Sequence, residues 1–228
     1  MFIRFFGEKP SINFIKSNKI KSLIAFSLQP KHLKKMHDHK FNPEFLHKLN
    51  NPDRLKDLPP DILFSQFKSM KPEIILDIGA GTGFFSVQLA KYFPPAKVFA
   101  CDISHEMIAW MNENICSDHD QISTHLMTEN HIPFDDSVAD LLVMINLHHE
   151  LDDPDMMLKE CHRVLKPGGH ILIADWKKDE MPMGPPTEIR CKTEDVEIQL
   201  RNAGFENITV NMMLEKHFVI IGEEKSLT

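Results

Sequence analysis

The sequence predicts an α/β fold: a mostly parallel sheet that ends in an antiparallel hairpin. Three observations carry that prediction. Short apolar runs near residues 74–78, 97–102, 122–127, 140–146 and 170–175 alternate with helical segments, the order expected of parallel strands joined by right-handed crossovers. Gly79, Gly81 and Gly83 follow the first run and permit the sharp turn that such a strand needs to enter a helix. The last two runs, 205–210 and 216–221, are joined by only about five residues, too few for a parallel crossover.

Taken in order, the chain opens on a segment set apart by charge. Residues 1–35 hold eight Lys or Arg against the single acid Glu8, a balance of +7; the whole chain carries −7, which leaves −14 on the rest. This basic stretch is expected to be a poorly ordered extension, with an organelle presequence or a membrane-touching arm as the alternatives. Residues 36–70 read as a cap of short helices separated by prolines. Pro43 and Pro52 suit first-turn positions, Pro59 and Pro60 end the second piece, and Asp61 can cap a third over 62–69. His32, His37, His39 and His47 lie without acids or cysteines in ligand register, so no metal site is predicted. The main domain is expected over 71–228.

Residues 74–78 are Ile-Ile-Leu-Asp-Ile, bounded by Pro72 and the glycines, and read as a strand buried on both faces. A helix over 84–92 then aims its first amides at the glycine turn. Several nucleotide binders share this arrangement, so the details decide. A dinucleotide fingerprint would have a small residue where Phe84 stands. A phosphate loop would have Lys after the glycines, and none follows. Asp77, two residues before Gly79, is poorly suited to a pyrophosphate and well suited to an ammonium group. The run Asp77-Ile78-Gly79-Ala80-Gly81-Thr82-Gly83 resembles the D/E-x-G-x-G-x-G motif of the class I S-adenosylmethionine-dependent methyltransferases.

The resemblance extends over about residues 71–222. Asp102 ends the second strand, where an acid can accept both ribose hydroxyls. Ser104 can cap the next helix. The stretch from Asp102 to Ile108 is similar to the family's D-[IV]-S-x-x-M-[LI], which implies that Ile103 and Met107 pack on the adenine; ordinary core packing is the alternative for Met107. Aligning His131 to Asp140 on the family's x-L-P-F-x-D-x-S-F-D segment puts Thr128 and Glu129 where many members have an Asp-Ala pair, and either can accept from the adenine amino group. Asn146 closes the fourth strand and is counted with the cofactor residues. Leu147 to Pro154 matches L-H-[HE]-x-x-D-P, Pro154 suits the start of a helix over 154–164, and Arg163 to Gly169 matches R-V-L-K-P-G-G. After the fifth strand and a proline-rich stretch, Thr193 can cap a last helix that Gly204 ends. The fold implied is the Rossmann-like methyltransferase fold, a seven-stranded sheet of order 3-2-1-4-5-7-6.

The resemblance implies S-adenosylmethionine as cofactor, S-adenosylhomocysteine as product, and in-line attack on the methyl carbon. His149, or His148, is the candidate base, because the loop after the fourth strand opens at the carboxyl edge of the sheet where ligands bind. Asp175 and Trp176, at the mouth of the fifth strand, can line the acceptor site together with His148. For the histidines the alternative is holding the loop or stacking near the cofactor, and for Asp175 and Trp176 it is packing under the proline-rich stretch. The family's [DNS]-P-P-[YF] motif, tied to exocyclic or amide nitrogen acceptors, is absent at Asn146. That absence and the acidic balance disfavour a nucleic-acid partner and favour a small-molecule acceptor. A protein or RNA methylase, or a non-catalytic cofactor-binding protein, are the alternatives. No apolar run is long enough for stable membrane insertion, and the irregular positions of Cys101, Cys116, Cys161 and Cys191 suit a reducing cytoplasm.

Overall fold

The structure, a computed structural model, describes residues 43–225. The segment 1–35 and His32, His37 and His39 lie outside the described residues. Three short helices come first: α1 (Pro43–Leu49), α2 (Arg54–Asp57) and α3 (Pro60–Phe64), the last continued by a tight turn over Ser65–Phe67. Then strands and helices alternate as β1 (Ile74–Ile78), α4 (Phe84–Tyr92), β2 (Lys97–Asp102), α5 (His105–Asn114), β3 (Ile122–Leu126) and β4 (Ala139–Ile145). The chain finishes with α6 (Pro154–Val164), β5 (Leu165–Trp176), α7 (Thr193–Ala203), β6 (Glu206–Asn211) and β7 (His217–Glu223).

The seven strands form one sheet in the order β3-β2-β1-β4-β5-β7-β6, as the family fold implies. The first five run parallel, and β7 pairs antiparallel with both β5 and β6. Successive strand residues point to opposite faces. Ile75, Leu141, Val143 and Leu172 therefore join one core with Phe85 and Leu89 of α4 and Met111 of α5. Leu76, Ile78, Leu142 and Ile173 join a second core with Met157, Leu158 and Cys161 of α6 and Val196 and Leu200 of α7. Leu63, Phe64 and Phe67 fall in the first core, almost fully buried, so the proline-separated helices contribute to the domain's own packing.

Helix ends follow the side chains that serve them. Ser104 Oγ accepts from the Met107 amide at 3.2 Å, and Asp153 accepts from the Met156 amide at 3.0 Å with Pro154 at the first helical position. Gly204 closes α7 at φ 106°, a left-handed conformation open to glycine. Some local expectations differ. Pro52, expected in a first turn, lies before Asp53, the cap of α2. The piece expected over 62–69 starts at Pro60, whose fixed φ suits the first turn, and Asp61 accepts from the Tyr92 hydroxyl at 3.1 Å without capping. Thr193 begins α7 without capping it: Lys192 holds the cap position, and the Thr193 hydroxyl turns to Met212 Sδ at 3.9 Å. Strand β5 begins at Leu165, five residues before the expected strand, because Ala139 pairs with Leu165 across a register shift and Gly168 and Gly169 bond the backbone of Glu224. No helix among the described residues is long and apolar enough to cross a membrane.

Candidate cofactor and active site

The carboxyl ends of β1, β2, β4 and β5 deliver their loops to one edge of the sheet, the edge at which open α/β sheets bind ligands. After β1, Gly79, Gly81 and Gly83 all have positive φ, and Gly83 is the cap of α4. Gly79 is required twice over. Its φ is 69°, and a Cβ there would lie 2.5 Å from Leu147 Cδ1, so a side chain would be strained and would displace Leu147. Beside this turn the hydroxyl of Thr82 is buried with no hydrogen-bond partner in the protein.

Two carboxylates flank the turn. Asp77 is buried, and its Oδ2 accepts from Ser86 Oγ at 2.6 Å. Burial lifts its carboxyl to about 7, against the pull of Ser86 and the Arg54 guanidinium and with a push from Asp102. Asp102 accepts from the Gly81 amide at 2.8 Å and from the Ser104 amide at 2.9 Å, which fixes its orientation and leaves each oxygen a further lone pair. Burial raises its carboxyl too. Next to it Ile103 is 41% exposed, and Met107 is half-buried on the first turn of α5. Thr128 and Glu129 are exposed; the Thr128 backbone bridges to His131, which makes a tight turn of this loop. Asn146 takes a left-handed φ of 57°, its amide donates to Ala174 O at 2.8 Å, and its side-chain Oδ1 is buried with no protein partner.

On the β4–β5 side, His149 and Asp175 form a buried dyad. Nδ1 of His149 lies 2.7 Å from Asp175 Oδ1, and the His149 amide donates to Asp175 Oδ2 at 3.0 Å. The Trp176 amide also donates to Asp175 Oδ1, at 2.7 Å. Burial opposes charging His149, but its hydrogen bond and proximity to Asp175 outweigh that and hold its pKa above the ordinary value. With Nδ1 given to Asp175, the neutral ring presents a bare Nε2, 3.6 Å from Glu150 Oε1. His148 faces elsewhere: it is buried, Nε2 meets Gln199 Oε1 of α7 at 2.9 Å, and burial lowers its pKa. Trp176 packs at a tilt against His217, its pairing partner on β7, with ring centroids 4.2 Å apart.

Several residues that complete this edge carry no motif. Arg54 of α2 lies over the Phe84 and Phe85 rings at 5.0 and 4.8 Å, and Leu49 of α1 comes to 3.7 Å of where a Gly81 Cβ would be. Arg190 is buried and donates to the carbonyls of Lys177, Asp179, Met183 and Pro185, which folds the proline-rich stretch over Trp176. Only Ser86 had a local signal, one turn into the helix that the glycines open. A groove of ≈ 630 Å³ between Phe134, Asp136 and Arg163 lies at the opposite, amino end of β4, away from these residues.

A family model described as a methyltransferase domain matches residues 76–173. The structure superposes on an S-adenosylmethionine-dependent methyltransferase of Aquifex aeolicus with a TM-score of 0.74 and 31% identity, over 81% of this chain and 100% of the other. The chain belongs to the S-adenosylmethionine-dependent methyltransferases. Curated relatives of this methyltransferase include a malonyl-[acyl-carrier protein] O-methyltransferase of Geobacter sulfurreducens, 32% identical over 50% of this chain and 41% of the relative. A tRNA N(3)-methylcytidine methyltransferase of Drosophila melanogaster is 29% identical over 49% of this chain and 37% of the relative. The methyltransferase thus matches about two fifths of the length of these curated relatives.

Proposed function

We propose that this methyltransferase moves the methyl group of S-adenosylmethionine to a protonated nucleophile on a small-molecule acceptor, with His149 as general base. The observation that carries the reading is the Asp77–Gly79–Asp102 edge beside the His149–Asp175 dyad. The residues fit the cofactor. Glycines leave the β1 turn open, Asp77 suits the ammonium of its amino-acid end, and Asp102 has lone pairs for the ribose hydroxyls. Thr82 Oγ1 and Asn146 Oδ1 are buried polar atoms whose lack of protein partners a polar ligand would repair. Ile103 and Met107 offer apolar contact to the adenine, and Thr128 or Glu129 an acceptor for its amino group.

Bound there, S-adenosylmethionine supplies a methyl carbon already activated by the sulfonium charge. The protein's part is chiefly positioning, which can lower the barrier by roughly 7–11 kcal/mol. His149 Nε2 would take the acceptor's proton as the nucleophilic atom bonds to the methyl carbon and the carbon–sulfur bond breaks to release S-adenosylhomocysteine, and Asp175 would hold the imidazole by Nδ1 and steady the imidazolium that forms. Trp176 lines the approach from the β5 loop, whereas His148, expected there, is turned away to Gln199 of α7.

The activity of the Geobacter relative, on a malonyl group, and the missing [DNS]-P-P-[YF] motif at Asn146 support a small acceptor. The Drosophila relative supports RNA as the second reading. Calorimetry should show binding of S-adenosylmethionine and S-adenosylhomocysteine, each raising the melting temperature by mass action, and no tight binding of NAD. Incubating labelled cofactor with cell extract should then label the small-molecule fraction. Label that disappears after nuclease treatment would decide for RNA, and absence of sulfur-nucleoside binding would sink the methyltransferase reading itself.

A further inference from the structure

We infer that Arg54 is a cofactor-recognition residue, taking the α-carboxylate of the amino-acid end while Asp77 takes its ammonium. The inference rests on the cofactor reading above. Arg54 comes from a four-residue helix 23 positions before Asp77, outside every motif, yet its guanidinium sits against the opening of α4 over Phe84 and Phe85. It is half-buried, and burial pulls its pKa down to about 10 against the opposing pull of Asp77. Asp77 in turn feels Arg54 as the cation that favours its ionised form.

A guanidinium has five N–H donors, and among the described residues that of Arg54 makes one hydrogen bond, from Nη1 to Leu49 O at 2.6 Å. That bond ties α2 to the end of α1 and leaves the other guanidinium donors without a hydrogen bond among the described residues, over the Phe84 and Phe85 rings that follow the glycine turn. The amino-acid end of the cofactor is a zwitterion. Its carboxylate, entering a site that already holds Asp77 and Asp102, meets two like charges, which is costly in a buried setting without a cation beside it. Arg54 supplies that cation, in the planar form that pairs with a carboxylate bidentately. The first amides of α4 reinforce it. Before the cofactor binds, the same guanidinium acts on Asp77 as the opposing charge. The α1–α2 segment is thereby part of the cofactor site as well as of the core.

The test compares two nucleosides that differ in that end: S-adenosylhomocysteine, which carries the amino acid, and 5′-methylthioadenosine, which lacks it. By calorimetry, Arg54→Gln should weaken S-adenosylhomocysteine roughly tenfold or more and leave 5′-methylthioadenosine unchanged. Arg54→Lys, which keeps the charge and loses the fork, should fall between wild type and Arg54→Gln for the first ligand only. An equal loss for both nucleosides would show that Arg54 acts through the fold, and unchanged S-adenosylhomocysteine affinity would show that it is no ligand; either overturns the inference. Wild-type protein that binds neither nucleoside would sink the cofactor reading and this inference with it.

Discussion

At the scale of single residues, His149 and Asp175 make the proposal about catalysis measurable. A base works in its neutral form, so turnover should rise with pH through the pKa of His149, and Asp175 holds that pKa above its ordinary 6.5. Asp175→Asn removes the carboxylate while keeping a group of similar shape. Burial then dominates, and the rising limb of the pH profile should move to lower pH while the plateau falls, because Nδ1 is no longer fixed as the donor. His149→Ala should lower turnover roughly 10²–10⁴-fold with little change in S-adenosylhomocysteine affinity. Profiles of the three proteins on one acceptor decide the matter. An Asp175→Asn limb at the wild-type pH would mean that the aspartate merely packs the loop, and full turnover in His149→Ala would leave positioning as the main catalytic effect.

Among the elements, α6 shows how a familiar motif hides its purpose. Arg163, at its last turn, donates to both oxygens of Glu160, to Asp136 Oδ1 and to the carbonyls of Ile132 and Phe134, and Glu160 also accepts from the Ile132 amide. This clamp fixes the loop that feeds β4 into the sheet. Arg163 first of all, then the Ile132 amide, holds the Glu160 carboxyl down at about 2 despite partial burial. A carboxyl with a depressed folded-state pKa stabilises the fold above its unfolded value of 4.5, and the contribution is lost as pH falls from there toward 2. We therefore predict that Glu160→Gln destabilises by about 1.5–3 kcal/mol at pH 7 and that the gap to wild type narrows on acidification. Urea midpoints at pH 7 and pH 3 check this; a gap equal at both would exclude an ionic clamp. The sequence makes Arg163 visible within R-V-L-K-P-G-G, with Glu160 three residues before it, but its other partners lie 27 to 31 residues upstream and are set by tertiary packing. The same reason conceals Arg54 from any local reading. Alternation of apolar runs suffices for the strands because burial on two faces demands it. It does not suffice for the start of β5, where Lys166-Pro167-Gly168-Gly169 looks like a turn and is held in the sheet by pairing with Ala139 and Glu224.

For the whole molecule, the question is where the domain begins. The sequence places a boundary near residue 70, since prolines interrupt what precedes it, yet periodicity cannot say which core a short helix fills. Leu58, Leu63, Phe64 and Phe67 are each at most 2% exposed and share the core of α4 and β1. Phe64 meets the Tyr92 and Phe93 rings at 5.6 and 5.9 Å, Phe67 meets His170 at 5.7 Å, and Asp57 pairs with Lys216 at 2.8 Å. Burying an apolar side chain of this size stabilises by roughly 1.5–3 kcal/mol, so the four together contribute about 6–12 kcal/mol as an upper estimate. A domain's whole stability is about 5–15 kcal/mol. We predict that a chain beginning at Lys71 will not show a cooperative thermal transition, whereas one beginning at Met36 will unfold cooperatively and bind S-adenosylhomocysteine as the full chain does. Circular-dichroism melts and calorimetry on the two truncations test this. A cooperative transition in the shorter chain would place these helices outside the folding unit. Even then it should bind S-adenosylhomocysteine more weakly than the full chain, because Arg54 and Leu49 leave with the deleted segment.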